Sequence, residues 1–329
     1  MKILYAVQAT GNGHICRAQK LVPALRQFAD VDVVTSGTAA DISLDFPVKY
    51  HYRGFGFVFG SQGGIQWSQT IFRNKPIRLC LDIATVPVTQ YDLVINDFEP
   101  ITAWACKLKK VPCIAMSHQY ALLAEVPKPS RVPAIIRWVL NHYAPAQRGV
   151  GFHFKRYAPH IFFPIIRDAV RNQKTSKENS YTVYLPAYAD SFICSILTQI
   201  PQTHWEVFSK HCTKAYTVEN VTVQPPSGTA FQVSMAKATG VLCGAGFETP
   251  AEALFLKKKL LIIPMRDQHE QHYNAAAMAD LDIPVLSKLS KRSVPKLAAW
   301  VNDTAVPNID FPDDTNAAID YLLSLAAAK

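Results

Sequence analysis

Lys2-Ile3-Leu4-Tyr5-Ala6-Val7-Gln8-Ala9-Thr10-Gly11-Asn12-Gly13-His14 is an apolar run that passes directly into a glycine-rich turn. The run is too short for a secretory leader and reads as a buried strand. A helical pattern near 16–28 follows it. Strand, tight turn and helix together open a βαβ unit. Glycine permits the tight turn, and a helix start offers free N–H groups to an anion. The dinucleotide pattern GxGxxG would need glycine at 16; the chain has Cys16 there, so nicotinamide binding is set aside.

Outward from this unit, short apolar runs alternate with helical patterns, as in a parallel sheet with crossover helices. Strands are predicted near 2–8, 31–35, 92–96 and 112–116, and a helix near 99–109. The pattern restarts at Tyr181-Thr182-Val183-Tyr184-Leu185, with a helix near 190–199 and strands near 205–208, 221–224, 240–243 and 260–263. Between the halves, residues 167–180 are polar and lose apolar periodicity after Val170. The fold class is therefore α/β, with two parallel-sheet domains over 1–170 and 180–315 facing a cleft. A C-terminal helix over 316–329 is expected to pack back on the first domain. The 329 residues suit two domains at ~150 residues each.

An apolar share of 49% against 18% charged excludes a disordered chain. No apolar run approaches the ~20 residues of a membrane span. Seven scattered cysteines without CxxC spacing point to reduced thiols in a cytoplasmic protein, and to neither disulfides nor zinc.

Charge is unevenly placed. Residues 1–165 carry 18 Lys/Arg and 9 Asp/Glu, whereas residues 166–329 carry 16 of each. Five basic residues and no acid lie between Asp45 and Asp82; six more, again with no acid, lie between 126 and 156. An anionic substrate, an anionic membrane surface or nucleic acid would each suit such a face. No RNA- or DNA-binding module is present, so nucleic acid is not expected. Val132, Ile135, Ile136, Val139, Leu140 and Tyr143 form a full helical stripe, with Arg131, Arg137 and Trp138 among its neighbours. Such a helix either faces the core or lies on an anionic membrane. The apolar-aromatic run Phe152 to Phe163 keeps the second option open.

Four places carry chemistry. Gly11, Asn12 and Gly13 form the first loop, and His14 follows; a neutral imidazole is a competent general base near pH 7, or it merely caps and packs. The second loop, Cys243-Gly244-Ala245-Gly246-Phe247-Glu248-Thr249-Pro250-Ala251-Glu252, follows a strand and opens a helix. Thr249 and Glu252 fit a capping box with Pro250 at the first helical position. The same geometry would seat a diphosphate on the backbone, with Glu252 accepting from ribose hydroxyls. Asp267 and Glu270 fit a second capping box; alternatively Glu270 and Gln271 reach the cleft and hold sugar hydroxyls. His269 and His272 are three apart, so the HExxH zinc pattern fails. Asp97 and His118 end two parallel strands, where α/β sheets bind ligands, or they cap loops.

Taken together, these segments resemble the UDP-sugar glycosyltransferases of the GT-B fold. The chain is similar to the N-acetylglucosaminyltransferase that makes lipid II, the diacylglycerol galactosyltransferases and the plant small-molecule enzymes. It looks closer still to a bacterial and archaeal branch with GNGHxxRA and NDFEP motifs. Gly246, Glu252, Pro264 and Glu270-Gln271-His272-Tyr273-Asn274-Ala275 carry the ordered pattern. The resemblance implies two Rossmann-like domains, the first for the acceptor and the second for the donor. It implies Glu252 on ribose, the backbone from Gly244 through Gly246, Phe247, Glu248 and Thr249 on the diphosphate, and Glu270 and Gln271 on the hexose. His14 would be the base, or would contact the phosphates and acceptor; Asp97 would orient His14 or the acceptor, and Gly11, Asn12, Gly13 and His118 would face phosphate or acceptor.

The expected reaction is inverting transfer of a hexose or N-acetylhexosamine to a hydroxyl, with no metal or other cofactor. Asp30-Val31-Asp32 and Asp280-Leu281-Asp282 match the DxD of metal-dependent transferases but read as accidental. The basic first half, with Arg131, Arg137 and Trp138, suggests a lipid or anionic glycan acceptor and peripheral attachment to the inner face of the membrane. A UDP-sugar 2-epimerase and a non-catalytic nucleotide-sugar-binding protein are the alternatives.

Overall fold

A computed structural model describes residues 1–37, 44–55 and 76–328. Seven strands make the first sheet: β1 (Lys2–Gln8), β2 (Asp30–Ser36), β3 (Tyr50–Tyr52), β4 (Leu93–Asp97), β5 (Cys113–Ser117), β6 (Arg148–Phe152) and β7 (Ile161–Phe162). Their order is β3-β2-β1-β4-β5-β6-β7, and every pair is parallel. Six strands make the second sheet: β8 (Glu178–Tyr184), β9 (His204–Phe208), β10 (Tyr216–Val218), β11 (Val221–Gln224), β12 (Ala238–Gly244) and β13 (Lys259–Ile263). Its order is β10-β11-β9-β8-β12-β13, parallel except for the β10–β11 edge.

The helices of the first half are α1 (Asn12–Leu25), α2 (Pro76–Thr85), α3 (Pro100–Lys109), α4 (His118–Ala121), α5 (Ala134–His142) and α6 (Asp168–Arg171). Those of the second are α7 (Asp190–Leu197), α8 (Gly228–Lys237), α9 (Glu248–Phe255), α10 (His269–Ala279), α11 (Val294–Asn302) and α12 (Thr315–Ala327). Each strand predicted from an apolar run is present. Helix α1 begins at Asn12, four residues before the helical pattern sets in, so His14 lies inside its first turn.

Open α/β sheets bind ligands where strand order reverses. The reversal lies between β1 and β4 in the first sheet and between β8 and β12 in the second. The first puts the Gly11–His14 turn beside Asp97. The second puts the Gly244–Glu252 loop at a sheet edge.

One apolar cluster runs through both halves. It includes Val7, Ile15 and Leu21 of β1 and α1, Phe152 and Phe154, and Phe247, Ala251 and Leu254 around α9. Phe152, Phe154 and Phe162 are buried in it, so these aromatic residues face the core, while Lys155, Arg156 and Pro159 between them are exposed. Helix α12 lies on β5, β6 and α1; Ile319 and Leu322 are fully buried, and Arg148 bonds the carbonyl oxygens of Leu325 and Ala328.

Candidate active site

The turn after β4 is built by Asn96-Asp97-Phe98-Glu99-Pro100. Asn96 Nδ2 donates to the Glu99 carbonyl oxygen at 2.7 Å, and Asn96 Oδ1 accepts from the Glu99 N–H at 2.9 Å. Phe98 takes a left-handed φ of 55°, a strained choice for an aromatic residue that Asn96 pins in place. Glu99 caps α3, accepting from Ile101 N and Thr102 N at 2.7 Å each, and from Ser36 and Thr102 hydroxyls at 2.6 Å. Pro100 fills a position that lacks a free N–H. Loop capping is thus the work of Asn96 and Glu99. Asp97, fully buried, is left for other partners.

Those partners are on α1. His14 Nδ1 lies 2.9 Å from Asp97 Oδ1. Arg17 Nη2 lies 3.2 Å from the same nitrogen; in the tautomer whose Nδ1–H donates to the carboxylate, Nε2 carries the lone pair. Arg17 follows one turn later and grips the same carboxylate twice, Nε to Oδ2 at 3.0 Å and Nη2 to Oδ1 at 2.9 Å. Burial alone would raise the Asp97 carboxyl; Arg17 and His14 outweigh it and hold it below its ordinary value. Arg17 itself is 2% exposed, and its remaining amine, Nη1, crosses to Glu248 Oε1 of the second half at 2.6 Å. Glu248 comes so close to the first loop that a Cβ on Gly13 would strike its carboxylate. Cβ atoms on Gly11 and Gly246 would meet open space.

The second loop departs from its expected capping. Helix α9 begins at Glu248, a residue earlier than the proposed box, with no side chain capping its N-terminus. Glu252 does not turn back to Thr249. It is buried at 3% exposure and accepts from Arg167 Nε at 2.8 Å and Nη2 at 3.0 Å. Burial raises its carboxyl above the ordinary value, with Arg167 working against the rise. Two glutamates one helical turn apart on α9 therefore pair with two arginines of the first half and its linker. Thr249 is half-buried beside them. A cleft of about 370 Å³ opens next to Arg167, lined by Gln19, Lys20, Gly228, Thr229 and Gln232.

The expected Asp267–Glu270 box is also absent. Helix α10 follows Gln268, with no side-chain cap, and Glu270 instead accepts from Gln119 Nε2 at 2.9 Å across the halves. Gln271 accepts from Met265 N at 2.9 Å and lies 3.6 Å from where a Gly244 Cβ would be. His118 is not a loop cap; Ser117 caps α4. At 1% exposure, His118 is wedged between the halves and stacked on Phe247 at 3.8 Å. Its Nδ1 is 2.8 Å from the Phe152 carbonyl oxygen and its Nε2 2.7 Å from Asn274 Oδ1. Burial pushes its pKa below the ordinary histidine value.

Helix α5 is not an ordinary core-facing helix, because none of its residues is fully buried. Val132, Ile136 and Leu140 lean on a small cluster with Leu122, Val126 and Tyr273. Ile135 and Trp138 stand 49% and 57% exposed, and Arg131 and Arg137 are exposed alongside. Arg73 and Lys75, two of the five basic residues between Asp45 and Asp82, lie outside the described residues. Asp32 of the first DxD string is held by Lys49 and Tyr91, and Asp280 directly follows α10. Among the described residues no three His, Cys, Asp or Glu side chains group as a metal set.

Arg17, Arg167 and Asn274 were given no role from the sequence. Two of them left a signal: Arg17 stands three residues after His14 on the same helix face, and Asn274 lies within the Glu270–Ala275 pattern.

Two facing sheets, each with a glycine loop at its reversal point, define the two-domain GT-B class of sugar transferases. The chain belongs to glycosyl transferase family 1, whose model matches residues 1–302, and it is a glycosyltransferase. Among solved structures it is similar to the glycosyltransferase of kitacinnamycin, with a TM-score of 0.64, 12% identity and coverage of 99% of this chain and 95% of that one. It is similar to Acinetobacter baumannii MurG, with a TM-score of 0.58, 12% identity and coverage of 98% and 99%. It is also similar to Streptomyces sp. SF2575 SsfS6 complexed with thymidine diphosphate, with a TM-score of 0.58, 12% identity and coverage of 98% and 99%. At these identities the likeness is one of fold. No curated protein matches the chain in sequence.

Proposed function

We propose that this glycosyltransferase is inverting and metal-independent, and moves a hexose or N-acetylhexosamine from a nucleoside-diphosphate sugar to a hydroxyl acceptor. The observation that carries this reading is the buried Asp97–His14 contact of 2.9 Å facing the α9 loop. His14 Nε2 takes the acceptor O–H proton while Asp97 holds Nδ1–H and supports the imidazolium that forms. The acceptor oxygen bonds to the anomeric carbon from the face opposite the leaving group. The bond from that carbon to the diphosphate oxygen breaks, and free N–H groups at the start of α9 meet the departing charge. The cleft that Arg167 lines, together with Lys20, Asp45 and Asp168, has a volume within the range of ligand sites, which run to ~300 Å³ and above. Glu252 would then share its carboxylate between Arg167 and ribose, while Glu270 and Gln271 would meet the hexose.

UDP is the preferred nucleotide by family resemblance; SsfS6 was solved with thymidine diphosphate, so both belong in any donor screen. The acceptor we infer is a membrane lipid or an anionic glycan, reached from a membrane surface by α5. Among the described residues no helix is long and apolar enough to cross a membrane. The test is transfer from UDP- and dTDP-hexoses to a lipid extract in excess chelator. His14→Ala should reduce kcat ~10²- to 10⁴-fold while leaving nucleotide affinity unchanged. Sugar epimerised without an acceptor, or nucleotide bound without turnover, would contradict the transfer reading.

A further inference from the structure

The Arg17–Glu248 pair raises a problem of charge. Arg17 and Asp97 neutralise each other through two hydrogen bonds, which leaves Glu248 as the surplus charge of the group. Its carboxylate lies against Gly13, at the first residue of α9, in the path of any diphosphate approaching this loop. A donor carrying two or more negative charges cannot share that seat with an ionised glutamate. The members of the pair differ in freedom. Arg17 is 2% exposed and anchored from behind by Asp97, whereas the Glu248 side chain is 20% exposed. A Cβ at Gly11 or Gly246 would meet no atom within 4 Å, so the backbone of both loops is open to an approaching group.

We propose that Glu248 is a stand-in for the donor: it holds Arg17 Nη1 in the empty enzyme and yields it to the donor's terminal phosphate. Arg17 then serves as the fixed cation of the diphosphate site. This rests on the nucleotide-sugar reading above and deepens it. The exchange has a consequence for selectivity. A nucleoside monophosphate lacks the second phosphate that replaces Glu248, so the pair discriminates by phosphate number. It also ties donor entry to the contact between the halves, because Arg17 is on α1 and Glu248 on α9.

The test is calorimetric titration with UDP and UMP, in chelator, of the full chain, Glu248→Gln and Arg17→Lys. Glu248→Gln should bind UDP about tenfold more tightly, equivalent to about 1.4 kcal/mol, with UMP affinity unchanged. Arg17→Lys should weaken UDP at least tenfold and narrow the UDP-to-UMP ratio, because an ammonium lacks the fork that spans Asp97 and a phosphate. If Arg17→Lys fails to fold, the less buried Glu248→Gln decides alone. UDP binding that Glu248→Gln leaves unchanged or weakens overturns the exchange while the donor reading stands. Failure of every form to bind UDP overturns the donor reading, and the exchange with it.

Discussion

Asp97 and Glu99 are two residues apart and both fully buried, yet they answer to different demands. Glu99 accepts from two backbone N–H groups and two hydroxyls and closes the start of α3. Glu99→Ala would remove the cap and orphan buried donors, so a loss of about 2–4 kcal/mol is expected in urea unfolding. Asp97 caps nothing and faces His14 and Arg17; Asp97→Asn should lower kcat and also cost stability, because it takes the buried counter-charge from Arg17. The order Asn-Asp-Phe-Glu-Pro showed in sequence that a strand ends and a helix begins. Glu99 caps the helix through the local N–H groups of Ile101 and Thr102; what the local pattern did not show is that Asp97 turns instead to His14 and Arg17, 83 and 80 residues back along the chain. Arg17 was hidden for the same reason, since its partners lie 80 and 231 residues along the chain.

His153 is a third buried group with a direct readout. It is fully buried, its Nδ1 accepts from Phe154 N, and burial and then His118 push its pKa down to about 2. The unfolded chain therefore binds a proton that the folded chain refuses, over the window from about 6.5 down to about 2. Stability should fall as pH drops below about 6.5, by up to about 1.4 kcal/mol per pH unit for this one group. His153→Asn keeps an acceptor for Phe154 N without the titration. Its unfolding midpoint should fall less between pH 7.5 and 5.5 than that of the parent chain.

At the scale of elements, α9 is tied to the first half by two ion pairs one turn apart. The Arg167 and Glu252 side chains are 13% and 4% exposed. Arg167→Met leaves a buried carboxylate without its cation, and about 3–5 kcal/mol of stability should be lost. The capping reading of Thr249 and Glu252 failed because local spacing cannot register an arginine 85 residues away. Strand β6 also escaped sequence reading. Its alternate positions Gly149 and Gly151 carry no β-branched signal, yet Cβ atoms there would meet Ala115 and Ala121 at 2.8 Å. Helix α5 shows the opposite case, in which a clear apolar stripe is only half-buried, with Val132, Ile136 and Leu140 on a small cluster and Ile135 exposed. If it docks on an anionic bilayer, each basic residue contributes about 1 kcal/mol. Arg137→Glu should then cut sedimentation with anionic vesicles at low salt and leave neutral vesicles unaffected.

At the scale of the whole molecule, the parallel strands were legible because buried parallel strands read as continuous apolar runs, whereas their order, which sets the two reversal points, was not. The residues that join the halves were not legible either, because Phe154 and Phe247 in the shared apolar cluster, and His118, Gln119 and Asn274 in its polar bonds, meet partners far along the chain. The excess of basic over acidic residues resides in the first half, residues 1–165, and a face of that sign would draw an anionic partner. All these inferences depend on a nucleoside diphosphate entering between β1 and α9. The decisive measurement is calorimetric titration of the purified chain with UDP, dTDP and GDP in excess chelator, alongside Glu252→Ala. The account predicts saturable one-site binding of UDP or dTDP without metal, lost in Glu252→Ala. Absence of binding by any of the three, or binding indifferent to Glu252, would contradict it.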